Sequence, residues 1–206
     1  AEADALPAGP STAQILAVFG AATGESEAAA ARLVEAEKRY PDDVEFLAIR
    51  GLLAVVLADE ETARAASERA DRIDPRNPDA MQLRAAVLSD FDWDLKASQV
   101  ELEQGLALDP RDADLWNSLG MLRSDQGDNA GAREAFEEAI RLDPFDLAPH
   151  ANLAIVYLDV DMLDEAKEQI DIAKALDPSF YIVHVAEGRW LIQQGDVVAI
   201  PKSSKP

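Results

Sequence analysis

Five prolines set a ruler along this chain. Pro41, Pro75, Pro110, Pro144 and Pro178 stand 34, 35, 34 and 34 residues apart, and the last four each follow an aspartate. Self-similarity at a fixed period of about 20–50 residues marks a chain built from copies of one supersecondary unit. Proline lacks the backbone N–H that a helix interior needs, so each proline predicts where the last helix of a copy stops. Alignment on the prolines predicts units at 10–43, 44–77, 79–112, 113–146 and 147–180, with Pro78 as a one-residue insertion and a partial sixth unit over 181–194. Residues 1–9 read as a flexible N-terminal arm, and 195–206 as a C-terminal tail in which Pro201 stops any further helix.

Small residues recur in step with this ruler. The eighth position holds Ala17, Gly51, Ala86, Gly120, Ala154 and Gly188. The twentieth holds Ala29, Ala63, Ser98, Ala132 and Ala166, and the twenty-seventh Ala36, Ala70, Gly105, Ala139 and Ala173. Two helices approach closely only where side chains are small, so these columns predict the contact lines within and between helical hairpins. Leu33, Leu102, Phe136 and Ile170 at position twenty-four fill the space beside them, and Ser67 breaks that column. Gly127-Asp128 and Gly195-Asp196 fall between the first and second helix of their units, where one helix needs a C-cap and the next an N-cap. Gly24 lies close to the same place in the first unit.

Composition agrees with an all-α chain: Ala, Leu, Glu, Asp and Arg dominate, and all but Asp are good helix formers. Forty acidic against 19 basic residues give a net charge of -21, with no basic stripe, which excludes a nucleic-acid partner and disfavours an anionic membrane surface. Such a field makes a soluble solenoid, and it would steer a basic partner segment. The absence of cysteine excludes disulfides, thiolate chemistry and zinc–thiolate sites. The most apolar stretch, 46–58, is interrupted by Arg50 and falls short of the ~20 residues that a membrane-inserted helix needs. An Ala-Glu-Ala start fits a mature end after signal cleavage or a segment of something larger. The composition suggests a bacterial protein of the cytoplasm or periplasm, with an exported form favoured.

The unit 113–146 resembles the tetratricopeptide repeat (TPR) family. Trp116, Leu119, Gly120, Ala132, Phe136, Ala139 and Pro144 occupy seven of the eight signature positions, and Arg123 departs where the family favours tyrosine. The next unit supplies that tyrosine, Tyr157, with Leu153, Ala154, Ala166, Ala173 and Pro178. The resemblance spans residues 10–194. It implies a right-handed solenoid of antiparallel helix pairs whose first helices line a concave face that commonly binds protein segments.

On TPR geometry, positions 2, 5, 6, 9, 12 and 13 of each first helix face that groove. They yield Ile15, Val18, Ile49, Leu52 and Val55, then Leu83, Val87 and Met121, then Ile155 and Leu158, with Val56, Val185 and Ile192 extending the strip. Apolar strips of this extent mark binding surfaces, here for an amphipathic helix or an apolar peptide. Superhelical curvature, the 1–9 arm or a second copy of the chain are the other ways to cover it. Asp114, Asn117, Ser118, Asp125, Asn152 and Asp159 form a more polar border, and Asn152 matches an asparagine that some long TPR superhelices use to hold peptide backbone. The Lys/Asn clamp of cochaperone TPRs is absent, since the ninth positions read Val18, Leu52, Val87, Met121 and Ile155.

Other constellations are weaker. Asp90, Asp92, Asp94 and Glu101 echo a calcium loop, but Leu95 stands where that loop needs glycine, and an acidic turn with N-capping aspartates explains them. His150 and His184 share position four, which points to packing rather than metal binding. No catalytic triad order or glycine-rich phosphate loop emerges. The expectation is therefore a non-enzymatic interaction scaffold without cofactor, holding a protein or peptide. The alternatives are a recruitment domain of a larger enzyme or of a secretion or envelope assembly protein, and a homo-oligomerising structural module.

Overall fold

The computed structural model describes residues 41–195. Nine helices make up the described residues: α1 Val44–Val56, α2 Glu60–Ile73, α3 Pro78–Asp90, α4 Leu95–Leu108, α5 Ala113–Asp125, α6 Asn129–Leu142, α7 Leu147–Asp159, α8 Leu163–Leu176 and α9 Tyr181–Gln194. They form four antiparallel hairpins, α1/α2 to α7/α8, with α9 packed on the last. The arm, the unit 10–43 and the tail beyond Gly195 lie outside the described residues.

The Asp-Pro pairs build the joints between hairpins. Asp74, Asp109, Asp143 and Asp177 each accept a side-chain hydrogen bond from the backbone N–H two residues on, at 2.8–3.0 Å. That Asx turn folds the chain over the proline and delivers it, three residues later, to the start of the next first helix. N-caps then take over. Asp43, Asp112 and Asp146, with Asn77, accept from backbone N–H groups of the first turns of α1, α5, α7 and α3. Asp59, Asp94 and Asp128 do the same for α2, α4 and α6. Each cap satisfies donors that the helix itself leaves open, which stabilises it by about 1 kcal/mol.

Within each hairpin the turn needs one residue in the left-handed region just before the second helix. Gly127 fills it at φ 78°, but Ala58, Trp93 and Asp161 occupy the same place at 55–59°. Side chains there cost about 1–2 kcal/mol relative to glycine, so the turn geometry is imposed by the packing of the helices rather than chosen locally. The turns before α2, α6 and α8 contain three residues, 57–59, 126–128 and 160–162, whereas the turn 91–94 contains four. The one-residue insertion therefore lies between α3 and α4 and not at Pro78. Pro78 is the first residue of α3, a position where a missing N–H costs nothing.

The small-residue columns lie at the contact lines. Ala63, Ala132 and Ala166 with Ser98, and Ala70, Ala139 and Ala173, are at most 1% exposed. A Cβ on Gly120 would stand 2.6 Å from the Phe136 ring within its hairpin, and one on Gly51 would stand 2.5 Å from Leu83 of the next. Between hairpins, Arg84 of α3 is shared by Asp71 of α2 and Glu101 of α4, and it also donates to the Pro75 carbonyl at 3.1 Å.

Candidate functional site

The first helices α1, α3, α5, α7 and α9 each contact the next in the series, while no comparable contact joins α2, α4, α6 and α8 to one another. A stack whose one layer is closer-packed than the other bends toward the close layer. The first helices therefore form the inner face, and the second helices the outer one.

Ile15 and Val18 lie outside the described residues. Ile49, Leu52, Val55, Asn152 and Ile155 are partly covered, and Met121 is 50% exposed in the middle of the face. Val56, Val185 and Ile192 are exposed as well. Leu83, Val87 and Leu158 do not belong to this surface, because all three are buried. For Val87 the reason is the insertion, whereas Leu83 keeps a groove position in either register and is withdrawn from the surface because it packs over Gly51. With α3 starting at Pro78, Leu83 is the sixth residue of its helix and Val87 is the tenth. The tenth residues of α5 and α7, Leu122 and Val156, are core as well. The true ninth residue of α3 is Ala86, and the eighth, Ala85, takes the buried small-residue column. Leu158 is buried, on a helix against which α9 packs, and the Gln193 side chain of α9 donates to its backbone carbonyl at 3.2 Å.

A row of amide and hydroxyl side chains crosses the face. Gln82 of α3 donates through Nε2 to Ser118 Oγ of α5 at 2.9 Å, and Asn152 of α7 donates through Nδ2 to Asn117 Oδ1 of α5 at 3.1 Å. These bonds tie three successive first helices together, yet an amide in such a row still has donors and acceptors to offer.

Both ends of the inner face are acidic. At the end where the first helices start, Glu45, Asp79 and Asp114 are the second residues of α1, α3 and α5. The Asp79 carboxyl is raised to about 6 by loss of water and then by the charges of Asp112, Glu45 and Asp43. Asp114 is also raised to about 6, first by loss of water and then by Asp112, Asp146, Asp79 and Asp143. The N-capping Asp112 and Asp146 are pushed up by loss of water and, in turn, by Asp109 and Asp143, against the backbone N–H bonds that each accepts. At the opposite end Asp125 is raised by loss of water and by Asp90. Sequence inspection missed Asp79 and Gln82, and the signal that reveals them is the residue count from each helix start.

This cluster gives the fold an unusual pH dependence. A carboxyl whose pKa is higher folded than unfolded takes up its proton in the native state first, so stability increases as pH falls from about 7 toward 4.5. Below that, Asp59, Asp92, Glu138 and Asp177, whose values are lowered by their hydrogen bonds, lose stabilising charge and the trend reverses. Thermal melts are expected to show a higher Tm at pH 5 than at pH 7.5, and the increment should shrink in the Asp79→Asn/Asp114→Asn variant.

The remaining candidates are occupied elsewhere. His150 is buried, with Nε2 3.3 Å from the Pro144 carbonyl and Nδ1 2.7 Å from the Gln169 amide, and Trp116 one hairpin earlier bonds the Pro110 carbonyl in the same way. His184 is exposed on α9, so the packing expected at this position holds for His150 and not for His184. In the acidic turn, Asp92 is held by Arg64, Asp94 caps α4, Glu101 pairs with Arg84 and Asp90 accepts from Ser89. No helix among the described residues is long and apolar enough to cross a membrane.

A stack of helical hairpins with an open inner face defines the class of solenoid scaffolds that hold other proteins. Family models of the tetratricopeptide repeat match residues 21–78 and 94–146 in one form and 124–182 in another, and the chain belongs to that family. It is similar to a thermophilic TPR protein of Thermus thermophilus, with a TM-score of 0.71 at 21% identity over 89% of this chain and 100% of that one. YrrB, described as a TPR protein with an unusual peptide-binding site, gives a TM-score of 0.54 at 21% identity over 84% and 88% of the two chains. Among curated proteins, protein O-mannosyl-transferase TMTC3 of Homo sapiens is 27% identical over 86 residues, which is 42% of this chain and 9% of that protein. At these identities the structural likeness establishes the fold, and the short overlap with the transferase carries no activity across.

Proposed function

We propose that this scaffold binds a protein segment, an amphipathic helix or an apolar peptide, along the inner face of its first helices. The observation that carries the reading is the row Leu52, Met121 and Ile155, the ninth residues of α1, α5 and α7. Met121 is half exposed, and Leu52 and Ile155, partly buried against the cores on either side of it, show an edge at the same helical position. Methionine is a flexible, polarisable side chain suited to adaptable contact, and covering such a row releases about 25 cal/mol per Å² of apolar surface. The amide row beside it supplies hydrogen bonds that fix the orientation of a guest. Binding of this kind needs no chemistry on the scaffold's part.

Photo-crosslinking tests the face directly. A photoreactive residue at Met121 is expected to capture a discrete partner from a lysate of the producing organism, and one at Glu134 on the outer helix α6 is not. Equal labelling from both positions would remove the inner face from consideration.

A further inference from the structure

We infer that the guest of the inner face is a cationic amphipathic helix, an apolar stripe flanked on both sides by lysine or arginine. This rests on the inner-face reading above and adds the chemistry of the partner. The first support is the placement of charge. Asp79 and Asp114 occupy the second position of successive first helices, with Glu45 at the same position of α1, so carboxylates line one lip of the groove. Asp90 and Asp125, the last residues of α3 and α5, line the other. The apolar and amide rows run between them.

The second support is that nothing among the described residues neutralises these groups. Every charge acting on Asp79 and on Asp114 is another carboxylate. Basic side chains on the first helices act elsewhere: Arg50 of α1 makes an interaction of its own and bears on Asp59 beyond the far end of its helix. Arg84 is held by Asp71 and Glu101, Arg123 donates to the Gly131 carbonyl, and Arg189 pairs with Asp159. Mutually repelling carboxylates, Asp79 partly covered and Asp114 exposed, cost stability in the free protein, and an incoming cation relieves that cost. A protein of net charge -21 also steers cationic segments toward itself over a longer range.

The third support is width. From Asp114 to Asp125 along α5 is 11 residues, or roughly 16 Å at 1.5 Å per residue. A helix with its side chains is about 10–12 Å across, so long basic arms on its two flanks reach both lips while its apolar stripe meets Met121. The carboxylate clamp familiar for acidic chain ends would require the opposite charge here.

The occupied groove also couples binding to protons. Asp79 and Asp114 face Asp112, Asp146, Asp143, Asp43 and Glu45 from the neighbouring helix starts, with His150 behind Asp146. A bound cation favours their ionised forms, so binding weakens as pH falls through about 6 and releases protons near that pH.

The test is a displayed library of helical peptides with a fixed leucine stripe and flanks randomised among Lys, Arg, Glu, Gln and Ser, selected at about 0.15 M salt, where screening already removes distant attraction. Selection on the wild-type protein is expected to enrich Lys and Arg on both flanks. A selected peptide should bind at least tenfold more weakly to the Asp79→Asn/Asp114→Asn variant, whose fold is checked by its melting curve. It should also bind more weakly at pH 5 than at pH 7.5. Flanks without basic enrichment, or equal affinity for the Asn variant, would overturn the cationic assignment while leaving the groove in place, provided Met121→Glu still abolishes binding. Peptides that bind Met121→Glu as well as wild type would overturn the inner-face reading itself, and an empty selection would do so too.

Discussion

Val87→Asp is expected to unfold the N-terminal hairpins, whereas Ala86→Asp, one residue away, should leave the melting curve within about 1 kcal/mol of wild type. Val87 is 7% exposed and packs with Ala48, Ala54, Ala63, Ala66 and Leu83 between α1, α2 and α3. An aspartate there has no cation within the cluster and must lose its hydration, an effect of about 4 kcal/mol or more. Whole domains are stable by only about 5–15 kcal/mol, so that loss is decisive. In a stack where each hairpin touches only its neighbours, the damage is local first, and loss of helical signal should begin with α1 to α4. Circular dichroism melts of the two variants settle the matter. The register that treats 79 as the first residue of its unit expects the reverse: Ala86 at the tight contact column and Val87 on the surface. A neutral Val87→Asp alongside a damaging Ala86→Asp would restore it.

That contrast also shows why most of the fold was legible in the sequence and part of the site was not. An Asp-Pro pair has a local job, an Asx turn that sets the start of the next helix three residues on, so the prolines predict α3, α5, α7 and α9 without tertiary information. Small-residue columns add the contact lines because backbone proximity excludes larger side chains whatever the neighbours are. The turn 91–94 obeys no such rule. Its extra residue is absorbed by a loop whose left-handed residue is Trp93, and no glycine marks it. Alanines at both 85 and 86 satisfy the small-residue criterion in either register, and the wrong one carried Val87 into the candidate strip; Leu83 stands at a groove position in both and is buried because it packs over Gly51. The same slip hid Asp79, which lines up with Glu45 and Asp114 only when α3 is counted from Pro78. Leu158 escaped for another reason: it is buried on a helix against which α9 packs, and packing between helices is not revealed by a single helix pattern.

The open positions have a different logic from the buried ones. Buried columns are specified by shape and therefore repeat. Ninth-position residues Leu52, Ala86, Met121, Ile155 and Arg189 share neither size nor charge, so the fold does not dictate them. Glu45, Asp79 and Asp114 repeat, yet their repetition opposes stability, because Glu45 raises the cost of ionising Asp79 and Asp79 that of ionising Asp114. A recurring feature that packing does not require and electrostatics penalises is where partner binding is best sought.

The second large effect lies in the hairpin α5/α6. Phe136→Ala is expected to cost about 3–5 kcal/mol, because the ring is 1% exposed and is packed with Ala132, Leu153 and Val156 at the joint between two hairpins. Truncation leaves a cavity that rigid helices on either side cannot close. The ring owes its place to Gly120, where a Cβ would meet Cδ1 and Cε1 of Phe136 at 2.6 Å. Gly120→Ala alone should therefore cost about 1–3 kcal/mol through overpacking, although alanine is the better helix former by about 1 kcal/mol. In the Phe136→Ala background the obstruction is gone, the propensity gain remains, and Gly120→Ala should become neutral or stabilising. A double-mutant cycle from urea unfolding is expected to give a coupling of about 2 kcal/mol or more. Simple additivity of the two changes would mean that the glycine and the ring are not one contact, and that position eight is small for some reason other than the aromatic side chain facing it.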